Sequence, residues 1–264
     1  MADADPVAMP ARSDLPVRLA SAAVMIVVAG AALYVGGVAW LVLVTAVGIG
    51  VLWEFNRLVS RFAAGGALWA WRFFGALYVG IGALRLAELR SAVLGGLLVL
   101  ALLVMVIGTD VGAYFAGRAI GGPKIAPRIS PKKTWAGLGG GIVVAGVALY
   151  VLFVALDDQR IAGDSWLGHL LGVPSSGFGF AFGMTRSPFN VLYALVAGAI
   201  VAIVAQAGDF FESWLKRRAG VKDSSGLIPG HGGLFDRVDG LIAVATLFGL
   251  LSLVGRLLAP ASLG

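Results

Sequence analysis

The sequence predicts an all-α, polytopic integral membrane protein: a helical bundle of about seven transmembrane helices, with seven to nine compatible with the pattern. Three observations predict it. Apolar residues make up 59% of the 264-residue chain and charged residues only 13%, against about half and about a quarter in soluble domains. Mean hydropathy is +0.93. Apolar stretches long enough to cross a bilayer, about 20 residues each, recur from one end of the chain to the other.

Taken in order, residues 1–18 read as a short N-terminal lead. They carry Asp3, Asp5 and Asp14 and lack the basic start of a cleaved secretion signal. Residues 19–264 read as one transmembrane domain, with clear spans at 19–35, 38–55, 92–108, 137–156, 191–208 and 240–258. Arg256 lies close enough to the end of the last span to snorkel to the interface. The stretch 67–84 is weaker because Arg72 interrupts it. The stretch 166–184 is apolar but broken by Pro174, two serines and several glycines, and fits a re-entrant or interfacial segment or a poor span. The 39 glycines suit close helix approach in a membrane. Cysteine is absent, which excludes disulfides and thiolate metal sites.

Charge sets the orientation, because lysine and arginine mark the cytoplasmic side. Arg12 and Arg18 precede the first span, and Arg57, Arg61 and Arg72 follow the second. Between the fourth and fifth spans, Arg118, Lys124, Arg128, Lys132 and Lys133 face Asp110 alone, whereas 157–165 holds three aspartates against Arg160. With seven spans, the N-terminus and the two basic loops, 109–136 and 209–239, fall on the cytoplasmic side. Arg85 and Arg90 fall outside and disagree, which makes the third span the doubtful one.

Those two loops hold the candidate chemistry. If the helix from 191 continues past Gly208, Asp209, Ser213 and Lys216 or Arg217 recur at helical spacing and place a carboxylate, a hydroxyl and cations on one face. The run Pro229-Gly230-His231-Gly232-Gly233 cannot be regular helix and would expose backbone N–H groups, as anion-binding turns do. Asp236 and Asp239 then lie three apart on the helix leading into the last span. Separated carboxylates, cations and a glycine turn suit a magnesium–nucleotide complex, since magnesium takes one or two protein carboxylates together with phosphate oxygens and water. In the other loop, lysine as a point charge and arginine as a fork both suit phosphates. Tyr114 and Trp135 are assigned to the interfacial aromatic belt, and His169 to structure. Taken singly, Lys216, Arg217 and Arg218 would more often be a topology anchor, and His231 would be equally a turn residue or a ligand. Their concentration in one short stretch flanked by membrane favours a site.

Common nucleotide motifs are missing: no G-x-x-x-x-G-K-[ST] occurs, and no G-x-G-x-x-G follows a strand. Asp239-Gly240-Leu241-Ile242-Ala243 begins like the motif of CDP-alcohol phosphotransferases, but Val244 replaces its arginine and no acidic residue follows Asp239. That family is rejected.

The pattern Ser213-x-x-Lys216-Arg217-x4-Lys222-Asp223-x5-Pro229-x-His231-Gly232-Gly233-x-x-Asp236-Arg237-x-Asp239 resembles the signature of phosphatidate cytidylyltransferases, the CDP-diacylglycerol synthases. Asp110-x-Gly112-Ala113-Tyr114, Gly117-Arg118 and Ser130-Pro131-Lys132-Lys133-Thr134 resemble earlier parts of the same family. The likeness covers roughly the C-terminal 60% of the chain. It departs at Ala136, where the family has glutamate, and at Ile120-Gly121-Gly122-Pro123-Lys124, which replaces a tighter turn.

The resemblance implies transfer of CMP from CTP to phosphatidate, in a bacterial-type inner membrane with the site facing the cytoplasm. It implies Asp209, Asp236, Lys216, Arg217, Lys222, His231 and Arg237 as catalytic residues, with Asp209 and Asp236 as the leading metal ligands. Asp110, Arg118, Ser130, Lys132, Lys133, Ser213, Asp223, Gly232, Gly233 and Asp239 would bind the substrates' phosphates. The expected cofactor is magnesium or another divalent cation, with room for a second ion, monovalent or divalent. The partners are CTP, phosphatidate and membrane lipid, not nucleic acid, and a homodimer is compatible. A CTP-dependent lipid kinase is the nearest alternative; it would have to activate a neutral hydroxyl. A transporter is the alternative from another class, but its polar sites belong at mid-membrane and in both halves of a repeat.

Overall fold

The computed structural model describes residues 15–92, 95–157 and 188–258. Seven helices occur among them: α1 (Leu15–Val35), α2 (Gly37–Val59), α3 (Gly65–Ser91), α4 (Gly95–Ala119), α5 (Trp135–Asp157), α6 (Pro188–Arg218) and α7 (Phe235–Leu258). A two-stranded antiparallel hairpin, β1 (Lys124–Ala126) and β2 (Ser130–Thr134), joins α4 to α5. All seven helices are long and apolar enough to cross a bilayer. The stretch 67–84 lies within α3, a continuous helix of 27 residues, so the third span is real. Residues 1–14 of the N-terminal lead, the acidic stretch beyond Asp157, the interrupted stretch 166–184 and His169 lie outside the described residues.

The two polar loops are more helical than the sequence reading allows. Helix α4 runs through Asp110 to Ala119, and α6 through Asp209 to Arg218. Neither aspartate ends its helix. The α6 helix has 31 residues and is roughly 46 Å long at 1.5 Å per residue, so it outruns a hydrocarbon core of about 30 Å. Its last turns carry polar side chains clear of lipid without breaking a single backbone hydrogen bond. The loop 109–136 is thus a helix end, a turn and the hairpin. In that hairpin Lys124 pairs with Thr134 and Ala126 with Ser130. The Thr134 side chain then accepts the Gly137 N–H at 3.0 Å and caps α5.

Small residues set the packing. Helices α4 and α5 touch along a glycine-rich seam where a Cβ at Gly141 would lie 2.9 Å from the Thr109 carbonyl oxygen. One apolar core, with Val99, Leu102, Met105, Leu149, Val201 and Val244, fills the bundle. A second surrounds the fully buried Phe55 between α2, α3, α6 and α7, near the end that carries the polar residues. Phe62, Trp71, Phe74, Tyr78, Phe211, Trp214 and Phe235 form its aromatic part. At the opposite end, Arg85 and Arg256 both pair with Glu88, at 3.2 and 3.4 Å, and Arg90 donates to the Leu33 carbonyl at 3.0 Å. The arginines that disagreed with the charge rule are therefore held by local partners.

Candidate active site

The site begins where α6 and α7 come closest. Gly208 and Gly240 face the partner helices: a Cβ at Gly208 would lie 2.7 Å from the Asp239 carbonyl oxygen, and one at Gly240 would lie 3.3 Å from Ala205 Cβ. Only glycine at position 208 permits that approach without displacing backbone. It brings the carboxylates next to each glycine, Asp209 and Asp239, onto a common face. Asp209, Glu212 and Asp239 each offer an oxygen, and all three oxygens lie within 4.8 Å of one another.

These groups carry different loads. Ser213 donates to Asp209 at 3.2 Å, and Lys133 from strand β2 forms an ion pair with the other Asp209 oxygen. The face that the sequence predicts for Asp209, Ser213 and Lys216 is present. Glu212 is 1% exposed, and its Oε1 has no hydrogen-bond partner. Three carboxylates at such range repel one another unless positive charge lies among them. Lys216 supplies part of it, reaching Glu212 at 2.5 Å and Asp236 at 2.5 Å.

Asp236 sits differently from the expectation that paired it with Asp209. It is not among the three clustered carboxylates. Besides Lys216, its oxygens accept the Ser224 N–H at 3.0 Å, the Ser224 hydroxyl at 2.8 Å and the Gly233 N–H at 2.8 Å. The last of these resembles the return arm of a capping box at the start of α7. The physical reason is reach: Asp236 stands in the first turn of α7, where the loop's free N–H groups converge. Asp239 is one turn further on, opposite α6. Gly230 and Gly232, at φ 74° and 84°, make the turn before α7, closed by Ile228 N–H to Gly232 carbonyl at 2.8 Å.

The other expected residues spread over three places. Asp110, Arg118, Lys132 and Lys133 line a cleft of about 500 Å³ between α4, the hairpin and α6. Tyr114, assigned from the sequence to the interfacial belt, also lines the cleft and accepts from Arg118 at 3.1 Å. Arg217, Lys222, Asp223 and Arg237 are exposed. Ser130 starts strand β2 and is not part of the cleft wall. His231 is turned toward α1, with Nδ1 2.7 Å from Ser21 Oγ. Trp135 is 58% exposed.

Three residues escape the sequence reading. Glu212 lies three residues after Asp209 on the same helix, so helical spacing alone would have found it. Gln206, one turn earlier, lines the cleft, is 5% exposed and leaves Oε1 without a partner. Glu54 on α2 is completely buried; it accepts from the Leu234 and Phe235 N–H groups and the Ser225 hydroxyl, and shares the single Ser224 hydroxyl proton with Asp236. Its signal was visible, since it is the one charged residue between Arg18 and Arg57.

A bundle of seven apolar helices with a lysine-lined cleft beside an acidic trio defines a polytopic membrane protein whose charged side chains gather at one end of its spans. Residues 66–254 match the sequence model of the Cytidylyltransferase family, and the chain belongs to that family. It is 40% identical over 178 residues to a phosphatidate cytidylyltransferase of Brucella suis biovar 1, covering 67% of this chain and 55% of that protein. The corresponding protein of Pseudomonas aeruginosa is 36% identical over 154 residues, 58% of this chain and 46% of the relative. A phosphatidate cytidylyltransferase of Rickettsia bellii is 31% identical over 241 residues, 89% of each chain. Except for the Rickettsia protein, the match spans only about half the length of these relatives.

Proposed function

We propose that this chain transfers CMP from CTP to phosphatidate, giving CDP-diacylglycerol and pyrophosphate. The observation that carries the reading is the meeting of Lys133, from the cleft, with Asp209, from the acidic trio. That contact joins a place for phosphates to a place for a cation. Family membership and the names of the relatives support it.

In the reaction, a phosphate oxygen of phosphatidate forms a bond to the α-phosphorus of CTP. The bond from that phosphorus to the β-phosphate bridging oxygen breaks, and pyrophosphate leaves with the electron pair. The attacking oxygen is already anionic, so no general base is needed. His231, held by Ser21, is assigned to the turn. Lys132, Lys133 and Arg118 hold phosphates in the cleft, where positioning and fixed positive charge are the main catalytic terms. The carboxylate set fits a divalent cation through its spacing and through the unpartnered Glu212 Oε1. Asp209, Glu212 and Asp239 would hold the ion, and Asp236 would brace Lys216 instead of binding it directly. When bound, such an ion neutralises negative charge on the triphosphate.

The seven apolar helices make this an integral membrane protein. A bacterial inner membrane, with the cleft facing the cytoplasm, is proposed from the bacterial relatives and the excess of basic residues at that end.

The test uses purified full-length protein with phosphatidate, magnesium and CTP labelled at either the α- or the γ-phosphorus. Label from the α-position should enter the lipid, and γ-label should appear in pyrophosphate. Transfer of γ-label to lipid would replace this reading with a lipid kinase. Orientation is tested with Gly226→Cys, an exposed position where a side chain meets open space. It should react with impermeant maleimide only from the cytoplasmic side.

A further inference from the structure

We infer that Glu54 is a positioning residue for the active site, and that helix α2 controls the geometry of the α6–α7 connection through it. This rests on the proposed cytidylyl transfer. Glu54 lies outside residues 66–254, the part matched by the family model.

A carboxylate on an apolar span is expensive to bury, and it persists where it is fully hydrogen-bonded. Glu54 meets that condition. Its Oε1 accepts the Leu234 N–H at 2.9 Å and the Ser225 hydroxyl. Its Oε2 accepts the Phe235 N–H at 2.6 Å and lies 3.0 Å from Ser224 Oγ, whose single proton it shares with Asp236. Phe235 is the first residue of α7. Glu54 therefore caps that helix from a different helix, satisfying N–H groups that the start of a helix leaves free and placing negative charge at the positive end of its dipole.

The contacts continue toward the trio. Ser224 Oγ lies between Glu54 and Asp236, at 3.0 and 2.8 Å. Asp236 holds Lys216 at 2.5 Å, and Lys216 holds Glu212 at 2.5 Å. A continuous polar chain thus runs from the buried face of α2 to the acidic trio. Gly233 makes room for it, because a Cβ there would lie 2.8 Å from Glu54 Oε1. Around it stands the aromatic core centred on Phe55, so α2 has little freedom to follow a loop that moves.

The chemistry of the site explains why both carboxylate oxygens matter. A glutamine at position 54 has one acceptor oxygen and one NH2. Whichever way it turns, the NH2 faces one backbone N–H donor against donor, so one of the two N–H groups at the start of α7 loses its acceptor.

The experiment compares full-length wild type, Glu54→Gln, Glu54→Asp, Ser224→Ala and Ser225→Ala, each purified in detergent. Two readouts are taken: kcat and KM for CTP and for phosphatidate, and the rate of tryptic cleavage after the exposed Lys222. For Glu54→Gln we expect kcat/KM for CTP to fall about a hundredfold, the scale of a misplaced reacting group. The KM for phosphatidate should change less than that for CTP, and cleavage after Lys222 should accelerate about tenfold. Glu54→Asp, which keeps the charge, should recover part of both losses. The serine variants should show the same pattern at smaller size. Normal kinetics in Glu54→Gln would overturn the inference. So would a fall in kcat with both KM values and the cleavage rate unchanged, because that is only a loss of active molecules. Should Glu54→Gln fail to fold, the serine variants decide, and wild-type values in both would overturn it. If wild type itself transfers no CMP, the proposed reaction fails, while the cleavage rates still test whether Glu54 holds the connection.

Discussion

In the basic hairpin, Lys124, Arg128 and Lys132 stand exposed and make no ion pair among the described residues. In the glycine-rich connection before α7, nearly every polar group near the trio is already engaged by the protein. Lys216 spans two carboxylates, Asp236 accepts from three groups besides, and Glu54 closes the network from below. Both segments are short, basic and rich in glycine or proline, and the sequence presents them as equivalents. The structure separates their tasks. Exposed cations keep their hydrogen-bonding capacity for a ligand, whereas a satisfied buried network fixes the positions of groups that must not move. In the proposed reaction the hairpin receives phosphates, and the connection holds the trio in register.

The largest expected effect breaks the connection's side of this contrast. Asp209→Asn and Asp239→Asn each remove charge from the trio at constant size. Turnover should fall about a thousandfold, with little change in thermal midpoint and a shift in magnesium dependence. Asp236→Asn should lower activity too, but also destabilise by about 3 kcal/mol, because it leaves Lys216 with an unbalanced buried partner. Thermal unfolding in detergent, run beside the activity assay, separates the two classes. If Asp236→Asn keeps wild-type stability and alone changes the magnesium dependence, Asp236 is the ligand and the assignment of roles reverses.

Next comes the approach of the two helices. Gly208→Ala pushes a methyl group onto the Asp239 carbonyl and Ala243. A cost of about 1–3 kcal/mol is expected, with a larger proportional loss of activity because the trio spans that contact. Activity that tracks stability alone would show that the trio tolerates the shift.

The hairpin should respond through binding. Replacing Lys132 and Lys133 by alanine should raise KM for CTP or phosphatidate about tenfold or more while the thermal midpoint stays within a few degrees. Of the two single variants, Lys133→Ala should be the worse, since Lys133 also pairs with Asp209. Unchanged kinetics in the double variant would reduce both lysines to topology anchors.

The smallest effect is expected at Ala136, in the first turn of α5 beside the cleft. Ala136→Glu places a carboxylate at a helix N-terminus, where it is tolerated. Activity should stay within about threefold of wild type, since the effect is about 0.3–1 kcal/mol. A large gain would mean that the hairpin side of the site lacks a carboxylate it can use.

The sequence was most legible where one dimension suffices. Apolar runs of bilayer length located all seven helices, including the doubtful third, because a span must satisfy its backbone internally whatever surrounds it. The spacing of Asp209, Ser213 and Lys216 placed them on one helical face, since that face is a property of a single helix. Arg118, Lys132 and Lys133 stood out in the sequence as a basic loop, and the structure gathers them on one cleft. What the sequence could not rank was the carboxylates. Asp236 and Asp239 are three residues apart and chemically alike, and only the packing of α7 against α6 through Gly208 and Gly240 decides which of them faces Asp209. Glu54 was a lone charge in an apolar span until the fold set it beneath a loop 180 residues later in the chain. Such pairings depend on interhelical contacts that no local pattern encodes, because hydrogen bonds of a buried carboxylate are chosen by what the tertiary fold brings within reach.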